Sequence, residues 1–124
     1  MELTLHKPGN HNFIRSFSAE GIRVVDTLYR GSLVLSAEAL RDDWRVESLS
    51  ELTVEDLEPV FELNPEVVLL GTGARQAFPS PEIMMAFYSR GIGLESMTTE
   101  AACRTFNVLV SEDRNVVAAL IGIR

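Results

Sequence analysis

Val67-Val68-Leu69-Leu70-Gly71-Thr72-Gly73 is the stretch on which the fold turns. Four consecutive Val and Leu residues leave no polar face, the pattern of a strand covered on both sides. The glycines after it allow a sharp exit. Downstream, Ser80 as N-cap and Pro81 at the first helical position open a helix that runs through Phe87 and stops near Gly91. Gly93 to Ser96 reads as a short strand. Thr98 or Thr99 caps a third helix with Ala102, Phe106 and Leu109 on one face, and Asp113-Arg114-Asn115 turns the chain into a second fully apolar strand, Val116 to Ile121. Strand, helix, strand, helix, strand with short connections predicts a sheet with helices on its faces.

Upstream of the central stretch, Thr53 and Asp56 have the spacing of a capping box, with Leu52 and Leu57 as its hydrophobic staple. The helix they open carries Val54, Leu57 and Phe61 inward and ends at Asn64-Pro65, because proline disfavours helical geometry in the residue before it. The first half of the chain, to about Leu49, is strand-rich. Phe13 to Phe17, Ile22 to Val25 and Ser32 to Ser36, with a turn at Tyr29-Arg30-Gly31, read as an antiparallel meander. Trp44 to Val46 reads as a further short strand, with the indole packed on the sheet.

The chain has 124 residues, 46% hydrophobic and 23% charged, which fits one α/β domain spanning 1–124. Its net charge of −7 and single lysine, Lys7, argue against a nucleic-acid binder that tracks phosphates. The longest apolar run, Val116 to Ile121, is too short for a transmembrane segment. The first residues, Met1 to Pro8, lack the pattern of a secretory signal or a transit peptide, so a cytoplasmic or matrix-like location is expected. Cys103, the only cysteine, excludes an internal disulfide and a multi-Cys metal site, and reads as a small buried core residue.

No catalytic constellation stands out. His6 and His11 have no carboxylate at metal-ligand spacing, no Gly-x-Ser-x-Gly elbow exists, and Cys103 has no histidine near it in sequence. Neither a metal nor a cofactor is expected. Glu51, Glu55, Asp56, Glu58 and Glu62 read as a solvated helix face. One crevice merits attention. If the strands at Val67–Leu70 and Gly93–Ser96 are parallel, their carboxyl ends share one edge of the sheet, where ligands of open α/β sheets commonly bind. Gly71, Thr72, Gly73 and Arg75 would meet Thr98 and Thr99 there, at the start of the third helix, whose N–H groups and dipole favour an anion. The same residues also read as a tight turn that needs positive φ.

The stretches Val67 to Gly73, Gly91-Ile92-Gly93-Leu94-Glu95-Ser96-Met97-Thr98-Thr99, Ala101 to Leu109 and Glu112 to Leu120 also resemble the complex I assembly factor 3 family and its prokaryotic relatives. Tyr29 to Leu35 and Trp44 fit the same pattern, and Phe106 stands where relatives often have Tyr. The resemblance implies a three-layer fold with a mixed central sheet, N-terminal antiparallel strands, helices on the faces and one sheet strand antiparallel to the others. Val116–Ile121 would lie inside that sheet. It also implies, for the mitochondrial members, a part in assembling the respiratory NADH dehydrogenase, and it does not imply an enzyme.

Two functions are therefore expected to compete. A non-catalytic assembly or interaction protein, with respiratory complex subunits or another assembly protein as partners, needs an exposed apolar patch. Its candidates are Phe78, Met84, Met85 and Tyr88, of which at least half are expected in the core. The alternative is a small-ligand protein, for an anion or nucleotide, or an enzyme, using the Gly71–Arg75 edge.

Overall fold

The computed structural model describes residues 11–123. Strands β6 (Val67–Gly71) and β8 (Val116–Leu120) lie side by side and parallel, inside a five-stranded sheet. Its other members are β4 (Ser32–Ser36), β5 (Leu40–Trp44) and β7 (Gly93–Met97), in the order β5-β4-β8-β6-β7. β8 is the central strand. β6, β7 and β8 are parallel, while β4 runs antiparallel to both β8 and β5. One strand therefore opposes the other four, in the mixed arrangement that the family resemblance implies.

Side chains on a strand alternate between its faces, and here each face meets a different layer. Leu69, Val116, Ala118 and Leu120 pack with Ala102, Cys103 and Phe106 of α3 (Thr99–Ser111), and with Ile14, Ile22 and Val24 of a separate N-terminal sheet. Val68, Leu70, Val117, Ala119 and Ile121 pack with Leu57, Val60, Ile83 and Phe87. Val60 lies on α1 (Glu58–Phe61), and Ile83 and Phe87 on α2 (Pro81–Tyr88). This double burial explains the uninterrupted apolar runs. Truncating a Leu at such a site typically costs about 2–5 kcal/mol.

The N-terminal sheet is a meander of β1 (Ile14–Ser18), β2 (Gly21–Val24) and β3 (Thr27–Tyr29). The expected meander reached one strand further. Ser32–Ser36 instead leaves the small sheet and pairs with β5 and β8. The reason is its composition: Leu33, Val34 and Leu35 are all fully buried, so β4 needs cover on both faces, as β6 does. Tyr29, read as part of a turn, closes β3, and the chain bends at Gly31 before β4.

Two other boundaries move. The strand expected over Trp44–Val46 is Leu40–Trp44, because an edge strand tolerates the charged run Arg41-Asp42-Asp43 that hydrophobic patterning passes over. Trp44 is buried against the sheet as expected, and its indole N–H donates to Asp56 O at 2.8 Å. The helix read from Thr53 to Asn64 is a 3-10 turn at Glu55–Leu57 followed by the four-residue α1. Pro59 has no N–H to donate, which keeps a longer regular helix from forming there. The capping pair is present all the same: Thr53 N donates to Asp56 Oδ2 at 2.9 Å and Asp56 N to Thr53 Oγ1 at 3.3 Å.

Among the described residues, no strand of the small sheet pairs with a strand of the larger one; beyond its apolar packing, β1 is hydrogen-bonded to α3 through one side chain. The Asn107 amide accepts from Ile14 N and donates to Ile14 O, both at 2.8 Å, and so acts as a neighbouring strand would. At the opposite end of the central strands, Glu66 accepts from Asn115 N at 3.1 Å and from Arg114 at 3.1 Å. The Asn115 amide first, and then the Arg114 guanidinium, hold its carboxyl below the usual range. We expect Asn107→Ala to lower the urea-unfolding free energy by about 1–3 kcal/mol, since it strands both backbone groups of Ile14. Protection of the β1 amides from hydrogen exchange should fall more than that of β6.

Candidate functional site

The carboxyl ends of β6 and β7 do share an edge, and Gly71, Thr72, Gly73, Thr98 and Thr99 converge on it. Their polar groups are committed to partners within the chain. Thr99, fully buried, donates from Oγ1 to Ile121 O at 2.7 Å and accepts from Gly73 N at 2.9 Å. Thr99 N donates to Gly73 O at 3.0 Å. The hydroxyl of Thr72 sits 2.7 Å from Arg75 O and 3.1 Å from Met97 O, and its N–H reaches Met97 O at 2.8 Å. Thr98 is the N-cap of α3 and accepts from Ala101 N at 3.2 Å.

The helix terminus is thus occupied by its own chain. The Thr99, Ala101 and Ala102 N–H groups all have internal acceptors. Gly71 is required by this closeness, because a Cβ there would stand 2.9 Å from Thr99 Oγ1 and 3.0 Å from Thr99 Cα. Gly73 has φ +100°, which favours glycine. Arg75 lies just outside, exposed, with no ion pair among the described residues. A feature that sequence reasoning missed completes the arrangement. Ser32, the other buried polar side chain among the described residues, donates to Val46 O at 2.6 Å and accepts from Gly122 N at 2.9 Å. The two buried hydroxyls therefore fix consecutive residues at the exit of β8. No local pattern signals this, because Ser32 and Gly122 lie 90 positions apart.

Nucleophilic and metal chemistry find little here. Cys103 is buried, and burial pushes its thiol up to about 12. A groove of about 250 Å³ runs between β1 and α3 beside it. The two cations of that groove are engaged, Arg15 with Val25 O at 2.8 Å and Arg104 with Glu100 at 3.5 Å. No group of three or more His, Cys, Asp or Glu could hold a metal ion among the described residues. His11 Nδ1 bonds its neighbour's carbonyl, Asn12 O, at 3.1 Å, and His6 lies outside the described residues.

Helix α2 presents a second apolar face. Ile83, Ala86 and Phe87 bury one side of it, and the opposite side is apolar as well. Met84 is 44% exposed, Met85 59% and Tyr88 77%, with Phe78 at 74% in the preceding loop. The expectation that at least half of these four belong to the core is wrong. The eight-residue helix has one face toward the sheet, and Ile83 and Phe87 already fill it. Beside α2, Arg90 lies 4.1 Å over the ring of Phe61, which meets Phe87 edge-on at 5.1 Å. A groove of about 460 Å³ opens there, lined by Glu55, Glu58, Phe61, Glu62 and Arg90.

The closed edge and the buried thiol each carry a test. Thr99→Val should lower unfolding free energy by about 2–3 kcal/mol, because it leaves a buried donor and a buried acceptor unpaired, while Thr99→Ser should retain most of the stability. The thiol of Cys103 should resist alkylation by iodoacetamide at pH 8 in the native protein and react fully in urea. Its folded pKa lies above the unfolded 9.0, so the stability contribution is complete below about pH 9 and is lost as pH rises toward about 12.

Comparison with known proteins bears on both fold and family. Residues 14–121 match the family described as "Protein of unknown function (DUF498/DUF598)". NADH dehydrogenase [ubiquinone] 1 alpha subcomplex assembly factor 3 of Danio rerio is 40% identical over 111 residues, 87% of this chain and 63% of that protein. The chain therefore spans less than two thirds of that relative. A 13 kDa major membrane protein of Francisella tularensis is 33% identical over 94 residues, 75% of this chain and 76% of its own length. Among the described residues, no helix is long and apolar enough to cross a membrane. The NMR structure of a Xanthomonas campestris protein superposes with a TM-score of 0.82 at 39% identity, covering 97% of this chain and 92% of the other. The mixed sheet, its two covered faces and these matches place the chain in the DUF498/DUF598 family, among relatives that include the complex I assembly factor 3 proteins.

Proposed function

We propose that this chain is a non-catalytic interaction protein that binds a protein partner through the exposed face of α2, in the assembly of a respiratory NADH dehydrogenase. The observation that carries this reading is the cluster of Phe78, Met84, Met85 and Tyr88, all exposed on and beside one short helix. Contiguous apolar patches on a protein surface mark interaction sites, and this cluster has that composition. Methionine suits such a surface, because its unbranched thioether adapts to an apolar partner. The name of the Danio rerio relative supplies the biological setting. The partner is a subunit of the respiratory complex or another assembly protein, met in the cytoplasm.

The alternative, a small anion or nucleotide bound at Gly71, Thr72, Gly73, Arg75, Thr98 and Thr99, has less support. The hydroxyls of Thr72, Thr98 and Thr99 and the N–H groups of Thr99, Ala101 and Ala102 already have partners within the chain, and Arg75 is exposed, with no ion pair among the described residues. Amide shifts at 71–75 and 97–100 on titration with phosphate or nucleotides would reinstate it.

Affinity capture from the native host tests the interaction reading. The wild-type chain should recover an NADH dehydrogenase subunit or another assembly protein. The double variant Met85→Glu/Tyr88→Glu should recover at least about tenfold less, with an unchanged circular dichroism spectrum. Equal recovery by the folded variant, or no such subunit with either protein, overturns it.

A further inference from the structure

The surface beside the exposed face of α2 is strongly one-sided in charge. Between Arg45 and Arg75 the sequence holds no Lys or Arg, yet it holds Glu55, Glu58 and Glu62 among other acids. Spaced three and four residues apart on consecutive helical turns, these three share one side of the segment. They line the groove over Phe61. Their local counter-charge is small. Arg90 lies on the Phe61 ring, with Nη1 donating to Ala86 O at 2.9 Å. Arg41 feels Glu62, but its guanidinium is held by Asp43 at 3.2 Å.

The groove and the apolar face adjoin. Phe87 of α2 touches Phe61 on the groove floor. On a helix with 100° between residues, Met84 stands about 60° from Phe87, between it and the outward-facing Tyr88. Arg90, two residues beyond Tyr88, lines the groove itself. An apolar strip thus borders an acidic channel across the end of α2.

We propose that this composite surface receives a cationic amphipathic helix of a protein partner, with its apolar side on Met84, Met85, Tyr88 and Phe78 and its Lys or Arg flank along Glu55, Glu58 and Glu62. The proposal rests on the interaction reading above and specifies the chemistry of the partner. Charge complementarity selects this occupant. A second copy would bring the same carboxylates and a net charge of −7 against the first. An anionic membrane surface repels such a flank, which offers it no lysine.

The test uses the isotope-labelled full chain and three probes: a synthetic amphipathic helix of Leu and Lys, the same helix with Glu in place of Lys, and phosphatidylcholine vesicles. The Leu-Lys helix should shift amides within 54–62 and 78–90, and bind more weakly as salt rises. The E55Q/E58Q/E62Q variant should bind it about tenfold more weakly. The Leu-Glu helix should not bind. Equal binding of the two helices, shifts confined to other surfaces, unchanged affinity in the triple variant, or preference for the vesicles overturns the proposal. Native-host capture separates the two levels. If M85E/Y88E abolishes capture while E55Q/E58Q/E62Q leaves it intact, the cationic partner is excluded and the interaction reading stands. If neither variant alters capture, the interaction reading itself falls, and the proposal with it.

Discussion

Burial of β6 and β8 on both faces is the constraint from which the rest of the structure follows. A strand of Val, Leu and Ala with no polar side needs two covering layers. On one side α3 and the small N-terminal sheet meet Leu69, Ala118 and Leu120; on the other, α1 and α2 meet Val68, Leu70 and Ala119. Such a core has few places for polar groups, and the two buried hydroxyls, Thr99 and Ser32, are both spent at the exit of β8. They take up a carbonyl and an N–H that the ladder leaves open, so the end of the central strand is closed by the chain's own side chains.

That closure bears on function. The carboxyl edge of a parallel sheet is the usual place for a ligand, and in this chain the same edge is filled by its own turn, helix start and strand end. Gly71 permits the approach of Thr99, and the threonines satisfy the backbone. What remains open is a helix face that the core has no room to take in. Specificity on such a surface comes from its side chains and their neighbours in space, not from a cleft.

Much of the architecture was legible from residues. The runs Val67–Leu70 and Val116–Ile121 identified the doubly covered strands, and Ser80-Pro81 and Thr98 marked helix starts that the structure keeps. The misreadings have identifiable physical causes. Ser32–Ser36 changes sheets because its burial is two-sided, a property that depends on partners far along the chain. The charged β5 carries no hydrophobic signal, and Pro59 shortens a helix whose capping residues are otherwise in order. The threonines at the sheet edge were recognisable as a cluster, but the acceptor of Thr99, a carbonyl 22 residues away, was not. The exposure of Met84, Met85 and Tyr88 was likewise hidden, since composition does not reveal how many faces of a helix a core can cover.

The two outer strands of the five-stranded sheet have a consequence of their own. One rim carries Arg41, Asp42 and Asp43 in succession, and the other carries the exposed Glu95. Charged rims discourage foreign strands from adding to a sheet. Recruitment through backbone ladders, which is indifferent to sequence and leads readily to fibres, is thereby discouraged at both ends. Contacts at these rims are left to side chains, which discriminate between partners as a backbone ladder does not.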